Sequence, residues 1–183
     1  MDREKALDSV RANVENKNLL KHMLATESIM RALAQRFGEN EEEWGLTGLL
    51  HDIDVELTAD DPCSHSRLGA DIARDLGASR EMSQAILCHN EAHGIACETT
   101  LEKALFCADP LTGLITAAAL ISPEKKIDAI TVDSLKKRFK EKRFAAGVNR
   151  EQIASCSEIG LGLDEFMSIG LRAMQDIAEE LGL

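Results

Sequence analysis

The sequence predicts an all-α fold, a single compact helical domain that spans residues 1–183. The chain contains only three prolines, and no segment alternates apolar and polar residues with the period of two that a half-buried strand requires. Apolar residues instead recur at intervals of three and four, as in Leu19, Met23, Met30, Leu33 and Phe37. This period is typical of amphipathic helices.

Local signals predict where the individual helices begin and end. Three residue pairs have the spacing of a capping box: Asn40 with Glu43, Thr99 with Glu102, and Asn149 with Gln152. Asp61 precedes Pro62 and predicts a further helix start, while glycines at positions 38, 77 and 182 predict helix ends. The predicted helices are 3–14, 17–37, 41–52, 62–76, 79–90, 100–109, 111–121, 132–144, 149–156 and 164–181.

Composition narrows the classes of function. The formal net charge of -11 disfavours general nucleic-acid binding, although residues 136–143 hold six basic residues and one acid. No run approaches the ~18 apolar residues of a membrane span, and no signal peptide is visible, so we expect a cytoplasmic protein. The five cysteines show no CxxC spacing, which favours a reducing compartment and disfavours a cysteine zinc site.

Polar residues at core-facing helix positions are the strongest functional signal. His51 and Asp52 close the apolar run that starts at Leu46, and Asp109 ends another apolar stretch. Burial of imidazoles and carboxylates is costly unless a cation meets them. The candidate metal ligands are His22, His51, Asp52, His65, His89 and Asp109.

Taken singly, most of these residues have a structural explanation. A histidine at the margin of a core, such as His22, His65 or His89, is usually hydrogen-bonded to a carbonyl. His93 is expected to be an exposed loop residue, and Asp109 precedes Pro110 and could end a helix at the surface. Their joint occurrence favours a metal, because one shared cation satisfies all of them at once.

Mixed imidazole and carboxylate ligands suit a divalent transition metal, namely Zn, Fe, Mn, Co or Ni. One ion would be coordinated by four of these residues, namely His22, His51, Asp52 and Asp109. His65 and His89 allow a second ion, and Asp52 could bridge the two.

The sequence motifs resemble those of the HD superfamily of metal-dependent phosphohydrolases, which has an all-helical fold. Residues 48–53, Gly-Leu-Leu-His-Asp-Ile, are similar to the LLHDIG motif, and residues 65–70 are similar to the HxxxGA helix of two-metal members. Residues 86–91 are similar to the IxxHHE segment, and residues 105–109 to the helix that bears the final aspartate. The resemblance spans roughly residues 17–121, which leaves 122–183 as additional helices.

Three differences from that pattern matter. Asp54 stands where HDIG members have glycine, and Asn90 replaces the second histidine of the HHE pattern. The GYP signature of cyclic-di-GMP phosphodiesterases is absent after Glu91, so that activity is not expected.

The resemblance implies hydrolysis of a phosphoester, in a nucleotide or another small phosphorylated metabolite, by a metal-activated water. Asp52, Asp54 or Glu56 would move the proton, and Arg67, Lys137 and Arg138 are the candidates for binding the phosphoryl charge. The structural alternatives are plain loop acids and a solvated basic helix face. Two other functions stay open: a di-iron oxygenase on the same fold, and a non-catalytic module that binds a nucleotide or partner protein. An oligomer is also possible.

Overall fold

The computed structural model describes residues 1–183; 68% of them are helical, and there is no strand. The all-α prediction is therefore confirmed. The helices are α1 (Arg3–Asn13), α2 (Lys17–Phe37), α3 (Glu41–Leu50), α4 (Arg67–Asp75), α5 (Arg80–Cys88), α6 (Thr100–Ile121), α7 (Val132–Lys140), α8 (Arg150–Ala154), α9 (Leu163–Asp176) and α10 (Ala178–Leu181).

The helix starts follow the predicted capping residues. The Asn40 side chain accepts hydrogen bonds from the second and third amides of α3, and Asn149 does the same for α8. Thr99 and Glu102 bond each other's amides in a complete capping box at α6. At the other end of α2, Gly38 takes the left-handed conformation at φ 71°, which satisfies the last carbonyls of the helix.

Helix α6 runs unbroken through Pro110, so the predicted division into 100–109 and 111–121 is wrong. Proline removes one main-chain donor and usually ends or kinks a helix. Here packing outweighs that cost, because α6 lies in the middle of the larger core and buries Leu105, Leu111 and Leu114 completely. The helix is long and apolar enough to cross a membrane by length and composition alone, but 56% of that stretch is buried inside the protein.

Helix α4 begins at Arg67, five residues later than the predicted start at 62. The Asp61 side chain instead accepts from the Cys63 amide and the Ser64 hydroxyl, and so caps a turn. Ser66 has φ 65°, in the left-handed region, and this conformation separates the turn from the helix. His65 therefore lies in the turn and not on a helix face.

The ligand-bearing helices pack closely. A Cβ atom at Gly48 of α3 would lie 2.8 Å from the Thr26 carbonyl oxygen of α2, so the two backbones meet where only glycine fits. Glu27 of α2 is buried, and its carboxylate pairs with Arg3 of α1 and with Arg31 one turn along α2. These contacts fix α1, α2 and α3 relative to one another.

Candidate metal centre

The six predicted ligands come from five separate elements. His22 lies on α2 and Asp109 on α6, whereas His51 and Asp52 directly follow α3. His65 lies in the turn before α4, and His89 directly follows α5. The fold brings all six side chains to one cluster.

One half of the cluster is formed by His22, His51 and Asp109. The Nε2 atoms of the two histidines are 3.1 Å apart, and Asp109 Oδ1 lies 3.1 Å from His22 Nε2 and 3.8 Å from His51 Nε2. Asp52 Oδ2 faces the same two nitrogens at 3.5 and 3.4 Å. We call this set the first half-site.

The other half is formed by His65 and His89, the second half-site. Asp52 Oδ1 lies 3.3 Å from the Nε2 atom of each. Since its Oδ2 atom faces the first half-site, Asp52 lies between two pairs of imidazoles. A carboxylate that bridges two ions needs such a position, and the bridging role of Asp52 stays a prediction.

The Nδ1 atoms of three histidines point away from the cluster and are held by hydrogen-bond acceptors. His51 Nδ1 donates to the Gly48 carbonyl at 2.8 Å, and His89 Nδ1 donates to the Ile86 carbonyl at 2.6 Å. His22 Nδ1 is 2.8 Å from Thr112 Oγ1, whose own proton goes to the Asp109 carbonyl. Each Nδ1 thus donates its proton away from the cluster, which directs Nε2 into the cluster as the nitrogen available to a metal.

Asp54 holds the fourth histidine. It is fully buried, its Oδ1 accepts from His65 Nδ1 at 2.9 Å, and its Oδ2 accepts from the Gly69 amide at 2.8 Å. A Cβ atom at Gly69 would lie 3.0 Å from Asp54 Oδ1, which explains the glycine there. Asp54 contacts Nδ1 of His65, the nitrogen on the side away from the cluster, so it suits the orientation of His65 better than the proton transfer predicted for it.

Four other predicted residues lie away from the cluster. The Glu56 carboxylate accepts from the amides of Glu15 and Asn16 at 2.7 and 2.9 Å, so it ties the loop after α3 to the start of α2. Arg138 pairs with Glu141 and lies over the Phe144 ring. Arg67 and Lys137 are exposed, and neither bonds to a residue of the cluster.

Sequence reasoning missed two residues that support the second half-site. His93, expected to be idle, donates from Nε2 to the His65 carbonyl at 2.7 Å. Asn90 donates to the same carbonyl at 3.2 Å and to the Pro62 carbonyl at 3.1 Å. Thr112, beside the first half-site, was missed as well. In the sequence, their one distinguishing feature is that each is a polar residue within four positions of a candidate ligand.

The charged groups of the cluster shift one another's pKa values strongly. Burial alone would lower the pKa of His22, but hydrogen bonds to Asp109 and Asp52 raise it to about 9. His65 likewise has its pKa raised to about 9, because bonds to Asp52 and Asp54 outweigh its burial. Burial opposes ionisation of Asp52, yet the His51 charge and neighbouring bonds hold its pKa well below its usual range. Protons on the imidazoles therefore balance the carboxylates wherever no other cation does.

The donor atoms fit a divalent metal. Two groups of three, His22 with His51 and Asp109 and His51 with Asp52 and His89, keep their ligand atoms within 4.8 Å of one another. Nitrogen and carboxylate donors suit a transition metal such as Zn, Fe or Mn. No thiol belongs to either group.

A family model described as HD domain matches residues 19–146. The chain belongs to the HD domain family. The resemblance inferred from the motifs is thereby confirmed, and the match extends beyond residue 121 into α7 and the residues that follow it. HD domains bind divalent metals, and the family is generally one of metal-dependent phosphohydrolases.

Several similar proteins are named Ribonuclease Y. That of Sulfurovum sp. is 31% identical over 138 residues, which cover 73% of this chain and 26% of the relative. That of Thermosipho melanesiensis is 32% identical over 138 residues, with the same coverage. The HD domain described here thus spans about a quarter of the length of these relatives. No solved structure gives a significant match.

Proposed function

We propose that this HD domain hydrolyses a phosphoester with a water activated at the metal centre. The observation that carries the proposal is the position of Asp52, whose two oxygens face four imidazole Nε2 atoms at 3.3 to 3.5 Å. A bound divalent metal would lower the pKa of a water and polarise the phosphoryl oxygen. Its identity, whether Mn, Fe, Zn, Co or Ni, and the number of ions are part of the test.

Of the three carboxylates predicted to move a proton, only Asp52 lies within the cluster. Asp54 orients His65, and Glu56 caps the start of α2. Asp109 is the most exposed of the ligands, at 28% of its side chain, so the open face of the centre lies on its side. We assign proton transfer to Asp52 and solvent access to the side of Asp109.

A cavity beside His22 is the proposed substrate site. It has a volume of about 400 Å³ and is lined by His22, Thr112, Asn18 and Lys21, with an apolar wall that includes Leu120. This volume is near the lower end for small-molecule sites, which are about 300–1,000 Å³. The cavity therefore suits a small phosphorylated metabolite. His22 is the one candidate ligand that lines it, so we place the phosphate against the His22 side of the centre.

Lys21 is the only lysine or arginine that lines this cavity. A cation next to the reacting phosphate offsets the charge that builds on its oxygens. We therefore assign the phosphate-binding role to Lys21 in place of Arg67, which lines a separate cavity with Arg74 and Arg80. Lys136 and Arg138 in the basic segment already pair with Asp164 and Glu141.

The direct test combines metal analysis with a substrate screen. The purified protein, reconstituted separately with Mn, Fe, Zn, Co and Ni, is assayed for bound metal by mass spectrometry and for phosphate release, with and without chelator. We expect stoichiometric metal and chelator-sensitive hydrolysis, both lost in Asp52→Ala. Lys21→Ala should raise KM, and Lys21→Arg should restore it. Turnover that survives Asp52→Ala would reject the proposal, whereas iron-dependent oxygen uptake without phosphate release would favour the oxygenase alternative.

A second candidate is cleavage of an RNA phosphodiester, which the name of the Ribonuclease Y relatives favours. The net charge of -11 and the single lysine of the cavity count against tight RNA binding. Assays on a short oligoribonucleotide and on nucleoside monophosphates, across a range of salt, separate the two candidates. We expect faster turnover of the monophosphates with a weak salt dependence, and the opposite result would favour RNA.

A further inference from the structure

Two cysteines outside the metal centre lie in direct contact. Cys88 is the last residue of α5, and Cys97 lies in the segment that leads to α6. Their Sγ atoms are 3.1 Å apart, and Cys97 Sγ is 3.6 Å from the Cys88 carbonyl oxygen. Both are free thiols.

The segment between these thiols, residues 89–96, supports the second half-site. It supplies His89, and its Asn90 and His93 side chains both donate to the carbonyl of His65. A covalent link between Cys88 and Cys97 would therefore close the base of this segment.

The pair is reachable by a small oxidant. Both thiols line a cavity of about 370 Å³ that also holds Lys103. Cys97 is half-buried, and the hydrogen bond with the Cys88 thiol lowers the pKa of Cys97. Cys88 is buried, as are Cys107 and Cys156, so Cys97 is the thiol of the pair that an oxidant meets first; Cys63 is exposed.

We propose that a peroxide oxidises Cys88 and Cys97 to a reversible disulfide. The Cys97 thiolate attacks one peroxide oxygen, the O–O bond breaks, and the leaving hydroxide takes a proton to become water, which leaves a sulfenic acid on Cys97. The Cys88 sulfur then attacks the sulfenic sulfur, an S–S bond replaces the S–O bond, and the Cys88 proton leaves with a second water. Two thiols are oxidised and one peroxide is reduced to two waters.

The expected consequence is a more rigid second half-site. The disulfide closes the segment over a short span, which restricts the motion of the backbone that carries Asn90 and His93. Amide hydrogen exchange across residues 89–96 should slow on oxidation and return to its original rate on reduction. Exchange in α1, far along the chain, should not change.

The test treats the full chain with hydrogen peroxide, blocks the remaining thiols with iodoacetamide in denaturant, and identifies the modified peptides by mass spectrometry. We expect two of the five cysteines, Cys88 and Cys97, to resist alkylation because they are linked within one chain. Dithiothreitol should restore the alkylation of both. The Cys63→Ser variant should behave like the unmodified protein. In Cys97→Ser, Cys88 should stay alkylatable because its partner is gone.

Two results would overturn the proposal. One is a protein in which Cys63 oxidises while Cys88 and Cys97 both remain alkylatable. The other is a Cys97→Ser variant in which Cys88 is oxidised as readily as before, since the two thiols would then not act as a pair. Since Cys97 is half-buried and its thiol makes no hydrogen bond beyond Cys88, the serine variant is expected to fold.

Discussion

Substitution of Asp54 tests whether this carboxylate orients the second half-site. Asp54→Asn keeps the shape but cannot accept at both ends, so it loses the bond to His65 Nδ1 or the bond to the Gly69 amide. A hydrogen bond to a charged group contributes about 1.5–3 kcal/mol. For a chain of this size that loss lowers Tm by roughly 3–12 °C. Loss of a residue that orients a metal ligand also weakens metal affinity by roughly 10–100-fold.

The matched control is Glu56→Gln. Its carboxylate was predicted for the same proton-transfer role as Asp54, but it bonds only the amides of Glu15 and Asn16. We expect Glu56→Gln to lower the Tm without changing the affinity for metal. Both variants are measured by thermal denaturation and by calorimetric titration with Mn²⁺. If Asp54→Asn binds metal with unchanged affinity and stoichiometry, the orienting role is refuted.

Three further predictions concern packing, ligand orientation and pH. Gly48→Ala should destabilise the protein by about 1–3 kcal/mol in thermal denaturation, because its Cβ atom would lie 2.8 Å from a carbonyl oxygen of α2. The control is Gly147→Ala, whose Cβ atom meets nothing within 4 Å, and this variant should have nearly unchanged stability. Thr112→Val removes the acceptor for His22 Nδ1, so calorimetry should show roughly 10–100-fold weaker metal binding, with Thr112→Ser unaffected. In the metal-free protein, the pKa of about 9 for His22 and His65 adds stability that is complete below pH 6.5 and is lost as pH rises through 9. The metal-free Tm should fall across that range, and a constant Tm would contradict this account.

The helices were largely predictable because their signals are local. A cap such as Asn40 acts on amides two and three residues away, and a glycine such as Gly38 ends a helix through its own backbone. Two of the errors, at Pro110 and at the start of α4, arose where distant packing decides the outcome; the predicted helix 164–181 is also divided, into α9 and α10. Pro110 continues α6 because the core holds that helix on several sides, and α4 starts late because a left-handed Ser66 ends the preceding turn.

The set of site residues was predictable, but several of their roles were not. Apolar neighbours reveal that His51 and Asp109 face inward, and the fold does bring them within 3.8 Å. By contrast, Asp54 and Glu56 are two residues apart in one loop, and the sequence gives no difference between them. Their roles depend on which distant amides they meet, Gly69 for one and Glu15 for the other. Such partners are known only once the chain has folded.

The two half-sites differ in what holds them, and this difference predicts unequal metal affinity. The first is built mainly on helices, with His22 fixed by Thr112 of α6 and His51 by the end of α3. The second includes His65, which lies in a turn and depends on contacts from Asp54 and from the segment 89–96. Ligands on well-packed helices lose less freedom when they bind an ion than ligands on loops. We therefore expect an ion in the first half-site to bind more tightly than one in the second. The affinity of the second half-site should respond to changes in the segment that Cys88 and Cys97 enclose.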